Sequence, residues 1–216
     1  MRMRETALVT ALLAGAALVP SRASAQAADV PASVLAVADW AMATGDNQGL
    51  PFLILDKTAA SVFVYDSSGR PLGSNPVLIG TAIGDDTAPG VGDREMHEIR
   101  PEERTTPAGR FVAKLGPALG KYKQVLWISY KDSIAMHPVI TSDWREQRKK
   151  RLNSPSPADN RITYGCINVS ADFYDNHIKP LFANSAGIAY VLPESKQVAE
   201  VIPGFEPILG SIPQAR

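Results

Sequence analysis

The chain carries one cysteine, Cys166, within Arg161-Ile162-Thr163-Tyr164-Gly165-Cys166-Ile167-Asn168-Val169. A thiolate is a strong nucleophile, and a neighbouring base or cation makes it available near neutral pH. Gly165 removes a side chain beside the sulfur and lets a substrate backbone come close. Three histidines could serve as the base: His97, His137 and His177. His97 falls in a long polar loop and His177 in the polar part of a predicted helix. Only His137 ends an apolar run, Ile134-Ala135-Met136, just before Pro138. That position suits projection from a strand end into a cleft. A cysteine and a histidine so placed fit nucleophilic acyl transfer. The sulfur attacks a carbonyl, and the imidazole takes the thiol proton and returns it to the leaving group. The residues alone leave two plainer readings open: a small buried hydrophobe for Cys166 and a hydrogen-bonded loop histidine for His137.

The elements that must position this pair are short and rich in β signals. Apolar runs at residues 52–55, 61–65 and 77–79 are separated by hairpin-like spacers at 56–59 and 66–69. Further runs at 110–114, 125–130, 134–137 and 188–192 continue the pattern. Short strands so spaced, without helices between the first ones, argue for an antiparallel arrangement. Residues 80–106 form a long polar, glycine-bearing loop, and a loop of that length in a compact domain is often a functional lid. Helix signals are few. Residues 32–43 read as a short helix and 45–51 as a turn-rich linker. Residues 142–152 read as one basic amphipathic helix. Ser170 can cap a helix running to about residue 182, with Tyr174, Ile178 and Leu181 on one face. The last residues, 193–216, hold four prolines and little periodicity.

The 216 residues suffice for one domain with an ordinary core. Hydrophobic residues at 45% and charged ones at 20% exclude a disordered chain, and zero formal net charge gives no reason to invoke nucleic acid. The beginning reads as a secretory signal. Arg2 and Arg4 precede an apolar stretch at residues 6–19, and Ala23-Ser24-Ala25 forms a small-residue cleavage site. Cleavage after Ala25 removes Arg2, Arg4, Arg22 and Glu5, leaving 19 basic and 21 acidic residues and a net charge of −2. An uncleaved anchor is the alternative. No later segment is apolar for long enough to span a bilayer. An exported chain with one cysteine has no intrachain disulfide, so the thiol is inert, paired with another chain, or used chemically.

These residues resemble the L,D-transpeptidase catalytic domain, also called the YkuD domain. That family pairs a strand-borne histidine with a Ser/Thr-His-Gly-Cys segment followed by a hydrophobic residue and Asn or Arg. Here the counterparts are Met136-His137-Pro138 and Thr163-Tyr164-Gly165-Cys166-Ile167-Asn168. The segment Thr105-Thr106-Pro107-Ala108-Gly109-Arg110-Phe111 resembles the family's Thr-Pro-x-Gly-x-Phe stretch. Residues 52–65 resemble its opening hairpin, 76–80 its glycine-closed strand and 187–191 its last strand. The resemblance covers residues 51–192. It implies a mostly β (α+β) fold, a single sandwich-like domain with a few short helices and a lid loop. The implied division is a signal peptide at 1–25, a helix and linker at 26–50, the catalytic domain at 51–193 and a proline-containing tail at 194–216.

The resemblance also implies an activity. Such enzymes act on peptidoglycan stem peptides, as both acyl donor and acceptor, outside the cytoplasmic membrane, with no metal or other cofactor. Cys166 would form a thioester with His137 as base. Backbone N–H groups around Tyr164, Gly165 and Cys166 would face the oxyanion. Arg161 would pair with a stem carboxylate or stand in a structural salt bridge. Asn168 would orient the loop, bind substrate or stand as a turn residue, and Thr163 would belong to the oxyanion and substrate-binding segment. Water in place of the acceptor amine would make the same residues a hydrolase, and a decayed site would leave a cell-wall binding protein.

Three departures from the family stand out. Tyr164 replaces the usual histidine before Gly-Cys and cannot act as a base near neutral pH, so the base role rests on His137 and the donor pocket is reshaped. Pro138 offers no side-chain donor, so a backbone carbonyl must orient the imidazole. His137 and Thr163 stand 26 positions apart, a longer interval than usual, and it includes Arg145, Arg148, Lys149, Lys150 and Arg151. These basic residues read either as a solvated face or as a rim that attracts acidic stems.

Overall fold

The computed structural model describes residues 30–118 and 124–208. The expected signal segment at 1–25 and the final residues of the tail, 209–216, lie outside the described residues. Helix α1 (Ala32–Thr44) matches the expected span and ends at Gly45, whose φ of 70° is left-handed and tolerated by glycine. Asp46 follows and accepts hydrogen bonds from Arg110 Nε and Tyr190 Oη, both at 2.6 Å. The turn-rich linker is therefore fastened to the sheet.

The strands among the described residues are β1 (Phe52–Asp56), β2 (Ser61–Tyr65), β3 (Pro71–Pro76), β4 (Ile79–Gly80), β5 (Gly109–Pro117), β6 (Gln124–Ser129), β7 (Ile134–Pro138), β8 (Arg161–Thr163), β9 (Ile167–Val169) and β10 (Gly187–Val191). Eight make one sheet in the order β3-β2-β1-β10-β5-β6-β7-β9, and β4 pairs with β8. The fold is mostly β with a few short helices. Its sheet is mixed, which corrects the antiparallel expectation: β1–β10, β7–β9 and β4–β8 are parallel pairs. A parallel partner requires a long crossover. The insertion after His137 supplies the crossover that brings β9 beside β7.

Strands β1, β2 and β10 are covered on both faces. Leu53, Leu55, Val62, Val64, Ala189 and Val191 belong to the main core. On the other side Phe52 stacks on Tyr65 at 4.8 Å, and Trp40 of α1 meets Tyr190 edge-on at 6.2 Å. Double burial explains why these strands read as unbroken apolar runs instead of an alternation. Strand β3, Pro-Leu-Gly-Ser-Asn-Pro, lies outside the expected strands; it pairs only with β2 at the sheet edge, where proline is tolerated. Beyond it, Leu78 exchanges backbone hydrogen bonds of 2.8 Å with Asn168. The segment after one edge strand thus curls back to β9 at the other edge.

The single helix expected over residues 142–152 is broken. A 3₁₀ turn (Trp144–Glu146) gives way at Gln147, with a left-handed φ of 51°, to helix α2 (Arg148–Leu152). Only Trp144 and Leu152 are apolar in this stretch, too few to hold a continuous helix on the core. Ser170 caps as expected, its hydroxyl accepting from Phe173 N at 3.2 Å. The helical path continues through α3 (Ala171–Phe173), a π turn (Tyr174–Ile178) and α4 (Lys179–Phe182). Pro180 would collide with an α-helical carbonyl four residues back, and the wider π turn relieves that collision.

Lys57 sits in the β1–β2 turn yet is 2% exposed. Its Nζ donates to Asp85 Oδ1 at 2.7 Å, Gly84 O at 2.6 Å and Thr106 O at 3.0 Å, and Glu194 lies 3.6 Å away. Asp85 also accepts from the backbone N–H groups of Glu194, Ser195 and Lys196 and from the Ser195 hydroxyl. Both ends of the long loop and the start of the tail therefore meet on one buried ion pair. Farther on, α5 (Val198–Val201) leads to Phe205, which packs edge-on against Trp40 at 5.5 Å, and Trp40 Nε1 donates to Gly204 O.

Candidate active site

The parallel pairing of β7 with β9 places Met136 opposite Ile167 and His137 opposite Asn168. Cys166 immediately precedes β9, one step before the Met136–Ile167 pair, and His137 follows one step after it. The two residues line one cleft of about 550 Å³ together with Val125, Trp127, Tyr130 and Ser133. Trp127 and Tyr130 contact each other at 4.3 Å between ring centres and give the cleft an aromatic wall. Cys166 Sγ lies 3.6 Å from Ser133 O, to which the thiol donates.

The turn that presents the thiol is built by its own polar atoms. Thr163 Oγ1 donates to Cys166 O at 2.6 Å and accepts from Gly165 N at 3.1 Å. Thr106 Oγ1 donates to Gly165 O at 2.8 Å, tying the end of the long loop to the cysteine segment. Gly165 has φ of 123°, and a Cβ there would stand 2.7 Å from Ile134 Cδ1 and 2.8 Å from Thr105 O. Both the conformation and the close approach require glycine.

His137 Nδ1 lies 2.9 Å from Pro138 O, and its Nε2 lies 3.2 Å from Asn168 Nδ2. The backbone carbonyl does take up the orienting role that Pro138 cannot fill with a side chain. Arg148 NH1 donates to Asn168 Oδ1 at 3.0 Å. Burial pushes the His137 pKa below its ordinary value, and the positive charge of Arg148 adds to this, against the Pro138 carbonyl. Cys166 is partly accessible from the cleft, yet desolvation of the sulfur pushes its thiol pKa up, against the Ala135 N–H and the Arg148 charge. Both shifts favour a neutral thiol and a neutral imidazole.

The other predicted residues take different places. Tyr164 lies under Arg104 at the end of the long loop, with the guanidinium carbon 3.9 Å from its ring centre. The Arg161 guanidinium pairs with Glu194 and donates to the carbonyls of Gly80 and Ala82 at 3.3 and 3.2 Å. These contacts join β8 to the long loop and to the tail. Gly165 N–H is committed to Thr163. Of the basic insertion, Arg145 is exposed and paired with Asp143, whereas Arg148 turns inward with a side chain 13% exposed. Arg148 and its partner Glu146 are the residues that sequence reasoning passes over, since a run of Arg and Lys reads as a solvated face. Among the described residues no group of His, Cys, Asp and Glu could hold a metal ion, and no helix is long and apolar enough to cross a membrane.

No protein-family model and no curated protein matches the chain. Similarity is found among solved structures. An L,D-transpeptidase from Xylanimonas cellulosilytica matches at 11% identity with a TM-score of 0.41, covering 66% of this chain and 60% of that one. The helical cell shape determining protein Pgp2 from Campylobacter jejuni matches at 13% identity with a TM-score of 0.46, covering 78% of this chain and 58% of that one. The chain thus spans less than two thirds of the length of either structure it is similar to.

Proposed function

We propose that the protein is a peptidoglycan L,D-transpeptidase, exported to the periplasm, that cross-links stem peptides through a Cys166 thioester. The observation that carries the reading is that the lone cysteine of a Thr-Tyr-Gly-Cys-Ile-Asn segment and the strand-end His137 open into the same cleft. In this reading His137 takes the thiol proton as Cys166 Sγ attacks the donor carbonyl. Collapse of the tetrahedral adduct expels the amine, which leaves with that proton, and a thioester remains. The amine of a second stem then attacks, restoring the thiol and forming the cross-link. With Gly165 N–H turned to Thr163, the oxyanion role falls to the N–H groups of Tyr164 and Cys166. Thr163 shapes the turn, and Asn168 contacts the base. Arg161 holds the β8 region to the tail. The aromatic wall of Trp127 and Tyr130 would flank the donor stem. No cofactor enters these steps. Either third-position or first-position donors fit the chemistry.

The test is intact-protein and product mass spectrometry after incubating the chain from Gln26 onward with purified muropeptides, beside Cys166→Ala. The expected result is a transient adduct on the wild type alone, with dimeric muropeptides accumulating and the mass lost identifying the donor. Shortened monomers without dimers would assign a hydrolase using the same residues. No adduct and no product, with Cys166 slow toward a thiol reagent, would assign a cell-wall binding protein.

A further inference from the structure

His137 and Asn168 are register partners across β7 and β9, and the bond between their side chains is continued by Arg148. Arg148 is itself held by Glu146, with Nε 2.7 Å from Oε2 and NH2 3.3 Å from Oε1. The chain of contacts has one consistent proton assignment. A guanidinium has donors only, so the Asn168 atom that faces Arg148 must be the oxygen. The amide has one oxygen and one NH2, so its nitrogen faces His137 Nε2. An NH2 group also has donors only, so Nε2 must carry a lone pair. The proton of the neutral ring then sits on Nδ1, where Pro138 O accepts it at 2.9 Å.

We propose that Arg148 is a positioning residue which, through Asn168, holds His137 as the neutral Nδ1–H tautomer in the resting enzyme. Protonating Nε2 would set it donor to donor against Asn168 Nδ2. Flipping the amide to relieve this would set Nδ2 against the guanidinium. Either way a hydrogen bond is lost, so the Cys166 proton reaches Nε2 only when the Asn168 contact opens. A site arranged in this way rests as thiol and imidazole and forms the reactive pair when a substrate in the cleft loosens that contact. Among the described residues, the charge that acts on the ring is Arg148 from α2, with Glu146 behind it, and the Cys166 thiol from the turn before β9 lines the same cleft. The lowered His137 pKa agrees with the arrangement, which rests on the reading of Cys166 and His137 as a working pair.

The experiment is an NMR pH titration of the ¹⁵N-histidine-labelled protein without substrate, for the wild type, Arg148→Gln, Arg148→Lys and Asn168→Ala, with thermal melts recording folding. The wild type and Arg148→Lys are expected to show His137 as the Nδ1–H tautomer with a depressed pKa. Arg148→Gln lets the amide flip, so the Nε2–H tautomer gains population and the pKa rises by roughly one unit or more. Asn168→Ala raises the pKa similarly although the Arg148 charge is kept. A wild-type Nε2–H tautomer would overturn the proposal. So would Asn168→Ala leaving the pKa depressed, since Arg148 would then act by charge alone. Should Asn168→Ala fail to fold, Arg148→Gln decides through the tautomer, because loss of charge without the relay leaves Nδ1–H in place. No turnover is read in these experiments. A failed transpeptidase assay leaves the relay standing, and a failed relay leaves the assay standing.

Discussion

Replacing Lys57 by methionine should be among the most destabilising single changes in the domain, although the residue lies in a hairpin turn. Its Nζ is 2.7 Å from Asp85 Oδ1, and the two side chains are 1% and 0% exposed. Breaking a buried pair from one side leaves a charge uncompensated and costs about 3–5 kcal/mol. The carbonyls of Gly84 and Thr106 lose their donor as well, whereas Asp85 keeps the N–H groups of residues 194–196 and the Ser195 hydroxyl. The retained donors place the expected loss within that range, and for a chain of this size it corresponds to a fall in Tm of roughly 6–20 °C. Urea unfolding followed by tryptophan fluorescence would measure it. The pH dependence has a definite sign. Burial alone would raise the Asp85 pKa, but Lys57 and the surrounding donors hold its carboxyl well below the usual range. A depressed carboxyl contributes stability that is full above its unfolded pKa of about 3.9 and is lost as pH falls through the folded value. The gap between wild type and Lys57→Met should therefore narrow below about pH 4. A loss under about 1 kcal/mol at neutral pH with an unchanged m-value would refute the reasoning, because exposed pairs are worth no more than that.

Three further outcomes are expected. Gly165→Ala, with φ of 123° and backbone 2.8 Å from the new Cβ, should lose at least ~1–3 kcal/mol and slow alkylation of Cys166; an unchanged melt would count against the geometry. Arg161→Met should destabilise the protein through its orphaned Glu194 partner while leaving KM for muropeptides near wild type, whereas a large KM increase at normal stability would restore the substrate-carboxylate role. Because burial pushes the Cys166 thiol up, its reaction with iodoacetamide should be slow at pH 7 and keep rising above the pH at which an exposed thiol levels off; a plateau near pH 7 would show a thiolate already formed.

Much of this arrangement is legible in the sequence, and the unread parts share a cause. The strands at residues 52–55, 61–65 and 134–137 announce themselves because local composition matches burial. The glycine beside Cys166 stands out in the sequence, whereas the hydrogen bonds by which Thr163 builds the turn do not. What local composition cannot convey is which distant segment answers a residue. Lys57 looks solvated until Asp85, 28 positions on, is placed against it. Arg148 looks like one of several surface cations until the break at Gln147 turns it toward Asn168. Edge strand β3 gives little apolar signal, since Leu72 alone of its residues packs on the core and the rest of its pairing with β2 is backbone. The antiparallel expectation fails for the same reason, because β10 comes from the far end of the chain to lie beside β1.

That last pairing governs how the molecule can be made. Among the described strands, β10 is the one that joins the ribbon β3-β2-β1 to the ribbon β5-β6-β7-β9 within the sheet. A chain emerging from its N-terminus can form each ribbon as it appears, but the two have no strand in common until residues 187–191 arrive. Contacts this distant along the chain are slow to form and are completed late. Among the described residues the cleft is lined by the second ribbon, its connecting loops and the turn before β9, while the ion pair at Lys57 starts from the first. A product truncated before Gly187 would carry every residue of the Cys166–His137 pair without the strand that unites the ribbons, and it would expose two open sheet edges to aggregation.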